Sequence, residues 1–159
     1  MPSNEILQVI SEIAGIVETV AVIASLVYLA RQVRDSTKAT KGATYQAIVD
    51  SIGNLEERIS SDAEVTRIFR SGQKSLETLD SDERLRFSLL MFSFFNLYEN
   101  LFYQYRNNLV EEELWASWCR DMRTLLSRPG VIKWWENYGS KELTRSFCEY
   151  VASGKCPRR

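Results

Sequence analysis

The chain has 159 residues, 20 basic and 21 acidic, which is one domain's worth of sequence with no overall charge to attract nucleic acid or an acidic partner. Histidine is absent, which removes the commonest general base, the commonest zinc ligand and every Ser-His or Cys-His pair. With no phosphate-loop or dinucleotide-binding glycine pattern, and only 7 Gly and 3 Pro, the expectation is an all-α, non-enzymatic chain without metal or cofactor.

The first predicted helix covers about residues 4–35. From Ile13 to Ala30 it is almost wholly apolar, about the minimum length for a hydrocarbon core, which takes roughly 17–25 residues. Its nine Ile, Val and Leu residues favour insertion by roughly 0.3–0.6 kcal/mol each, against about 2.5–3.5 for a central acid. Glu18 lies off the centre, so the balance is near zero to modestly favourable. Arg31, Arg34, Lys38 and Lys41 follow at once, while only Glu5 and Glu12 precede. The positive-inside bias then puts the rest of the chain in the cytoplasm, as a single-pass membrane protein. A cleavable signal peptide fits poorly, because no Lys or Arg precedes the apolar run.

Polar residues interrupt this helix in a pattern. Ser11, Glu18, Ser25 and Gln32 recur every seven residues, and Glu5, Glu12 and Thr19 repeat on the adjacent stripe. A heptad keeps one face toward a shared axis, and acids within a membrane face a bundle interior or a watery cavity. The pattern predicts a homo-oligomer with Ser11, Glu12, Glu18, Thr19, Ser25 and Gln32 turned inward, with a pore along the axis as an open possibility. The alternative is a soluble or peripheral binding module that dimerises through this helix, its polar stripe facing water.

A second helix is expected from about Thr37, with Tyr45, Ile48, Val49, Ile52, Leu55 and Ile59 at spacings of three and four. A short third covers about residues 62–70 and stops near Gly72, a natural C-cap residue. Asp80 with Glu83 reads as a capping box that opens a long helix to about Asn107. That helix is apolar on nearly every face, which predicts a central buried position. On it, Asn96, Glu99, Asn100, Tyr103 and Arg106 form a polar group in an apolar setting. They read as a buried network or a ligand pocket, with Arg106, Arg120 or Arg123 as the cation for Glu99.

Glu111 to Ser127 forms the next helix, acidic at its start and basic later. Pro129-Gly130 breaks the chain before two short helices, "VIKWWENYG" and "KELTRSFCEYV". The four tryptophans of this region read as core. Cys119, Cys148 and Cys156 are odd in number and widely spaced, which predicts plain thiols in a reducing compartment. The organisation expected is an anchoring helix over 1–36, a cytoplasmic bundle over 37–152 and a flexible tail over 153–159.

The stretches "IASLVYLARQVRDSTKATKGATYQA", "DERLRFSLLMFSFFNLYENLFYQYRNNLVEEELWASW" and "WWENYGSKELTRSFCEYV" resemble a widespread set of small bacterial proteins of unknown function. Those proteins pair an N-terminal hydrophobic helix with a compact helical domain. The resemblance covers most of the chain and implies membrane attachment without an activity. A weaker, architectural resemblance is to the membrane accessory proteins of Cas13b CRISPR loci, which have a membrane helix and a HEPN-like domain and assemble as a pore. The HEPN nuclease motif, an Arg followed closely by His, is missing: "NNLVEE" follows Arg106. The partners expected are other copies of the chain, membrane lipid and an unnamed protein, and no nucleic acid.

Overall fold

A computed structural model describes residues 3–157, and before residue 20 it describes side chains only at residues 8, 9, 15, 17 and 18. Every regular element among the described residues is helical. α1 spans Ser3–Ser60, α2 Ala63–Lys74, α3 Ser81–Arg106 and α4 Glu112–Leu126. α5, Pro129–Trp134, runs through a π-turn at Trp135–Gly139 into α6, Ser140–Glu142, and α7 covers Arg145–Ala152. The chain divides into two compact units, Met1–Gly42 and Ala43–Arg159.

The break expected near Asp35–Thr37 is absent, because α1 is continuous there. Nothing in "RDSTKATKGA" forbids the helix, as it contains no Pro and a single Gly. Ser25, Thr37, Thr40 and Ser51 each donate to the carbonyl four residues back, so their hydroxyls are satisfied within the helix. Among the described residues no helix is long and apolar enough to cross a membrane. The expected span Ile13–Ala30 includes residues 13, 14, 16 and 19, whose side chains lie outside the described set.

In the unit Ala43–Arg159 the last part of α1 buries Ile48 and Leu55, with Ile52 and Ile59 half-buried on the same stripe. α2 starts at Asp62, whose carboxylate accepts from the backbone N–H groups of Glu64 and Val65. It does not stop at Gly72 but runs on to Lys74. Gly72 is there for packing: a Cβ on it would collide with the Phe87 ring, and one on Gly130 would collide with the Gly72 carbonyl. α2 therefore meets the start of α5 at backbone range and takes the Phe87 ring of α3 against its own backbone.

The capping box of α3 forms as the sequence predicts, with Asp80 and Glu83 each reaching the other's backbone N–H. α3 buries Phe87, Leu90, Met91, Phe95, Tyr98, Leu101 and Phe102. It is not buried all round, because Leu85 and Leu89 are 61% and 58% exposed. Trp115 on α4 and Trp134 on α5 are fully buried and close the core around Phe95, Phe102 and Phe147. Each fully buried ring of this size contributes roughly 1.5–3 kcal/mol relative to exposure. Trp134 Nε1–H is satisfied by the Ser88 hydroxyl at 2.8 Å.

The plain-thiol expectation fails for two of the three cysteines. Cys119 and Cys156 form a disulfide with their Cα atoms 5.8 Å apart, while Cys148 is free. Sequence spacing concealed this because the closing contact is tertiary: α7 turns the chain back along α4. The segment after α7 is thus tied down at Cys156 rather than free.

Candidate functional site

Three places among the described residues are candidates for a site, two that gather polar groups and one that exposes apolar ones. The first is an open groove of about 780 Å³ between the second half of α3 and the start of α7. Asn96, Glu99, Asn100, Tyr103 and Arg106 all line it, joined by Gln104, Thr144 and Ser146. The helical spacing of three and four sets these α3 residues on one side of the helix. They are not buried. Asn96, Asn100, Tyr103 and Arg106 are exposed, Glu99 is half-buried, and no polar residue among the described ones falls in the buried class. The buried-network reading is corrected accordingly; what holds is that the five residues share one surface.

Nor does Glu99 take a cation. Its carboxylate accepts from the Thr144 backbone N–H at 2.7 Å and from the Thr144 hydroxyl at 2.6 Å. Thr144 is the N-cap residue of α7, and its own side chain caps nothing. Glu99 therefore satisfies an α7 N-terminal donor from outside and sets a negative charge at the positive end of the helix. Arg106 lies over the Phe102 ring, 5.6 Å from its centre. In the groove the Gln104 amide donates to Asn100 Oδ1 at 3.3 Å, while Gln104 Oε1 is buried without a hydrogen-bond partner.

The second place is the other end of α7. Arg123 on α4 donates to the carbonyls of Val151 and of Tyr150, the latter at 3.1 Å. These carbonyls belong to the last turn, where they also accept from the Ser153 and Gly154 N–H groups, and the cation suits the negative helix end. An eight-residue helix is thereby held at both termini by opposite charges from two other helices. Burial lowers the Arg123 pKa from its ordinary value, a shift partly opposed by Tyr150. Burial likewise raises Tyr150, against the lowering effect of the Trp115 hydrogen bond. Nearby, Tyr98 is pushed up by burial and then by its hydrogen bond to Asp121, so it stays a donor.

The third place is α1 between Val17 and Val33. Val17, Val20, Val22, Ile23, Leu26, Val27, Tyr28, Leu29 and Val33 are all large and exposed. At about 100° per residue they cover an arc of roughly 260°. Glu18, Ser25 and Gln32 fall in the remaining gap and are exposed as well. Ser11, Glu12 and Thr19, expected on the same face or the next, lie outside the described side chains.

The chain matches no known family model, no characterised protein and no solved structure. The site reading therefore rests on geometry. Sequence reasoning found the α3 residues but missed Thr144 and Ser146 across the groove, and missed Arg123 as a cap. The visible signal for the last is a basic residue in the final turn of α4, which the sequence offers to α4's own dipole or to Glu99 and not to the end of α7.

Among the described residues no cluster of three or more acids or thiols is arranged for a metal ion. The groove presents amides, a phenol, a guanidinium and a carboxylate already engaged by Thr144. That arrangement can bind polar ligands by hydrogen bonds, with the Thr144 hydroxyl and the Glu99 carboxylate engaged with each other.

Proposed function

We propose that this protein is a membrane-anchored, self-associating helical protein whose unit Ala43–Arg159 is a non-enzymatic regulatory or binding module. The observation that carries the reading is the apolar arc of α1. Nine large side chains from Val17 to Val33 stand 46–67% exposed. Exposed apolar area of that extent marks a membrane or protein contact. The single polar gap at Glu18, Ser25 and Gln32 supports association of several copies with these residues toward one axis. Arg31, Arg34, Lys38 and Lys41 support an orientation with the larger unit in the cytoplasm.

The test is fractionation of the full-length protein. Resistance to carbonate, release by detergent and a single high-order particle mass are the expected results. Extraction in buffer alone as a monomer would overturn the anchor. Glu18→Leu is expected to change the particle mass while leaving the far-UV spectrum intact, and an unchanged mass would remove Glu18 from the interface. Liposome conductance of the solubilised particle tells an open axis from a closed one.

A further inference from the structure

Trp115, Cys119 and Arg123 are four residues apart on α4 and share one face of it. That face meets the end of α7 and the segment after it. Trp115 Nε1–H donates to the Tyr150 hydroxyl at 3.1 Å. The Tyr150 oxygen lies 3.4 Å from Cys119 Sγ. A disulfide sulfur has no proton to give, and Trp115 already occupies a Tyr150 lone pair. The Tyr150 proton therefore points at Cys119 Sγ. Arg123, one turn on from Cys119, sets its guanidinium on the Val151, Tyr150 and Lys155 carbonyls, on either side of Tyr150 and next to Cys156 in the chain.

The two sulfurs differ in access. Cys119 is 0% exposed, whereas Cys156 is part-buried and sits on a stretch without regular structure. Apart from the disulfide, that stretch is held by long hydrogen bonds. Arg123 reaches the Lys155 carbonyl at 3.5 Å, the Lys155 N–H reaches the Ser153 hydroxyl at 3.3 Å, and the Gly154 N–H reaches the Val151 carbonyl at 3.3 Å. α7 itself is secured independently by buried Phe147 and Val151 and by its two charged caps.

We infer that Cys119–Cys156 is a reversible thiol–disulfide exchange site for dithiol reductants, with Cys156 the sulfur attacked and Cys119 the leaving group that Tyr150 and Arg123 stabilise. A thiolate of the dithiol bonds to Cys156 Sγ. The Cys119–Cys156 bond breaks, and its electron pair goes to Cys119, which receives the Tyr150 hydrogen bond and then a proton from solvent. The reagent's second thiolate attacks its own sulfur in the mixed disulfide and expels Cys156, which is also protonated. The pair gains two electrons and two protons, and the dithiol becomes a disulfide. A leaving thiolate that is stabilised leaves faster. The outcome is release of the segment after α7 while α7 stays docked.

The probe is dithiothreitol, added in a concentration series to the full-length protein in detergent without denaturant. After acid quench and alkylation, intact mass counts the thiols. One alkyl group, on Cys148, is expected before reduction and three after it. The rate should rise in proportion to dithiothreitol. Tyr150→Phe should slow it about five-fold, the effect of one hydrogen bond to a partly developed thiolate. Alkylation of Cys148 reports general loosening and should keep its wild-type rate in that variant. Reduction only in denaturant, a rate independent of dithiothreitol, an unchanged rate in Tyr150→Phe, or three alkylated thiols after treatment with oxidised glutathione would each overturn the assignment.

Discussion

Glu99 shows how a polar residue that reads as functional can do structural work. Its carboxylate serves the N-terminus of α7 because Thr144, the residue at the cap position, turns its hydroxyl toward Glu99 instead of the helix. Glu99→Ala should then cost about 1 kcal/mol, the usual worth of an N-cap, and should speed amide exchange at Arg145–Phe147 more than elsewhere. Equal exchange along α7 would argue against capping. Glu77 offers a second check. Its pKa falls from 4.5 to about 2, chiefly through the hydrogen bond from Lys133 and next through that from Ser75. A depressed carboxylate stabilises the fold above its unfolded pKa and loses that contribution as pH drops through the folded value. Both partners are more than half exposed, so the effect is small and salt-sensitive. The checkable outcome is the Glu77 titration by NMR: a midpoint near 2 in wild type, moving up toward the ordinary carboxylate range in Lys133→Met.

Among the helices, the glycines separate two roles that composition alone merges. Gly72 and Gly130 sit where backbones meet, while a Cβ on Gly53 in α1 would touch nothing within 4 Å. Gly72→Ala should destabilise by about 1–3 kcal/mol through overpacking. Gly53→Ala should stabilise by roughly 0.5–1 kcal/mol through helix propensity. Chemical denaturation midpoints that shift in opposite directions are expected, and a shared direction would refute the packing assignment. The same pair shows what was legible beforehand. The capping box of α3 was readable because its signal is local, contained in Asp80 and Glu83. Gly72 as a packing residue was not, since the partner that forbids a side chain, Phe87, is distant in sequence. The exposure of Leu85 and Leu89 was hidden for the same reason: a helix apolar all round does not reveal which face lacks a neighbour.

Every buried residue among those described lies between Ile48 and Val151, inside the unit Ala43–Arg159. The large apolar side chains described in α1 from Val17 to Val33 are exposed. Periodicity distinguished these two uses of apolar sequence. From Ile48 to Ile59 the spacing draws one stripe, which packs through Ile48, Ile52, Leu55 and Ile59 while Tyr45 and Val49 stay exposed, and from Val17 to Val33 it draws a near-complete wrap. The continuity of α1 across residue 36 and the Cys119–Cys156 link escaped the sequence, because one needs the absence of a breaker to be trusted and the other needs the tertiary return of α7. The division has a direct consequence. A fragment of residues 43–159 retains the whole described core, the disulfide and both caps of α7. It should therefore melt cooperatively, within a few degrees of the full chain, and extract in buffer without detergent. Differential scanning calorimetry of both proteins measures this. A fragment with near-native far-UV signal but no cooperative transition would mean that residues 1–42 supply packing to the larger unit, and the apolar arc of α1 would then have a partner within the chain rather than a membrane or a second copy.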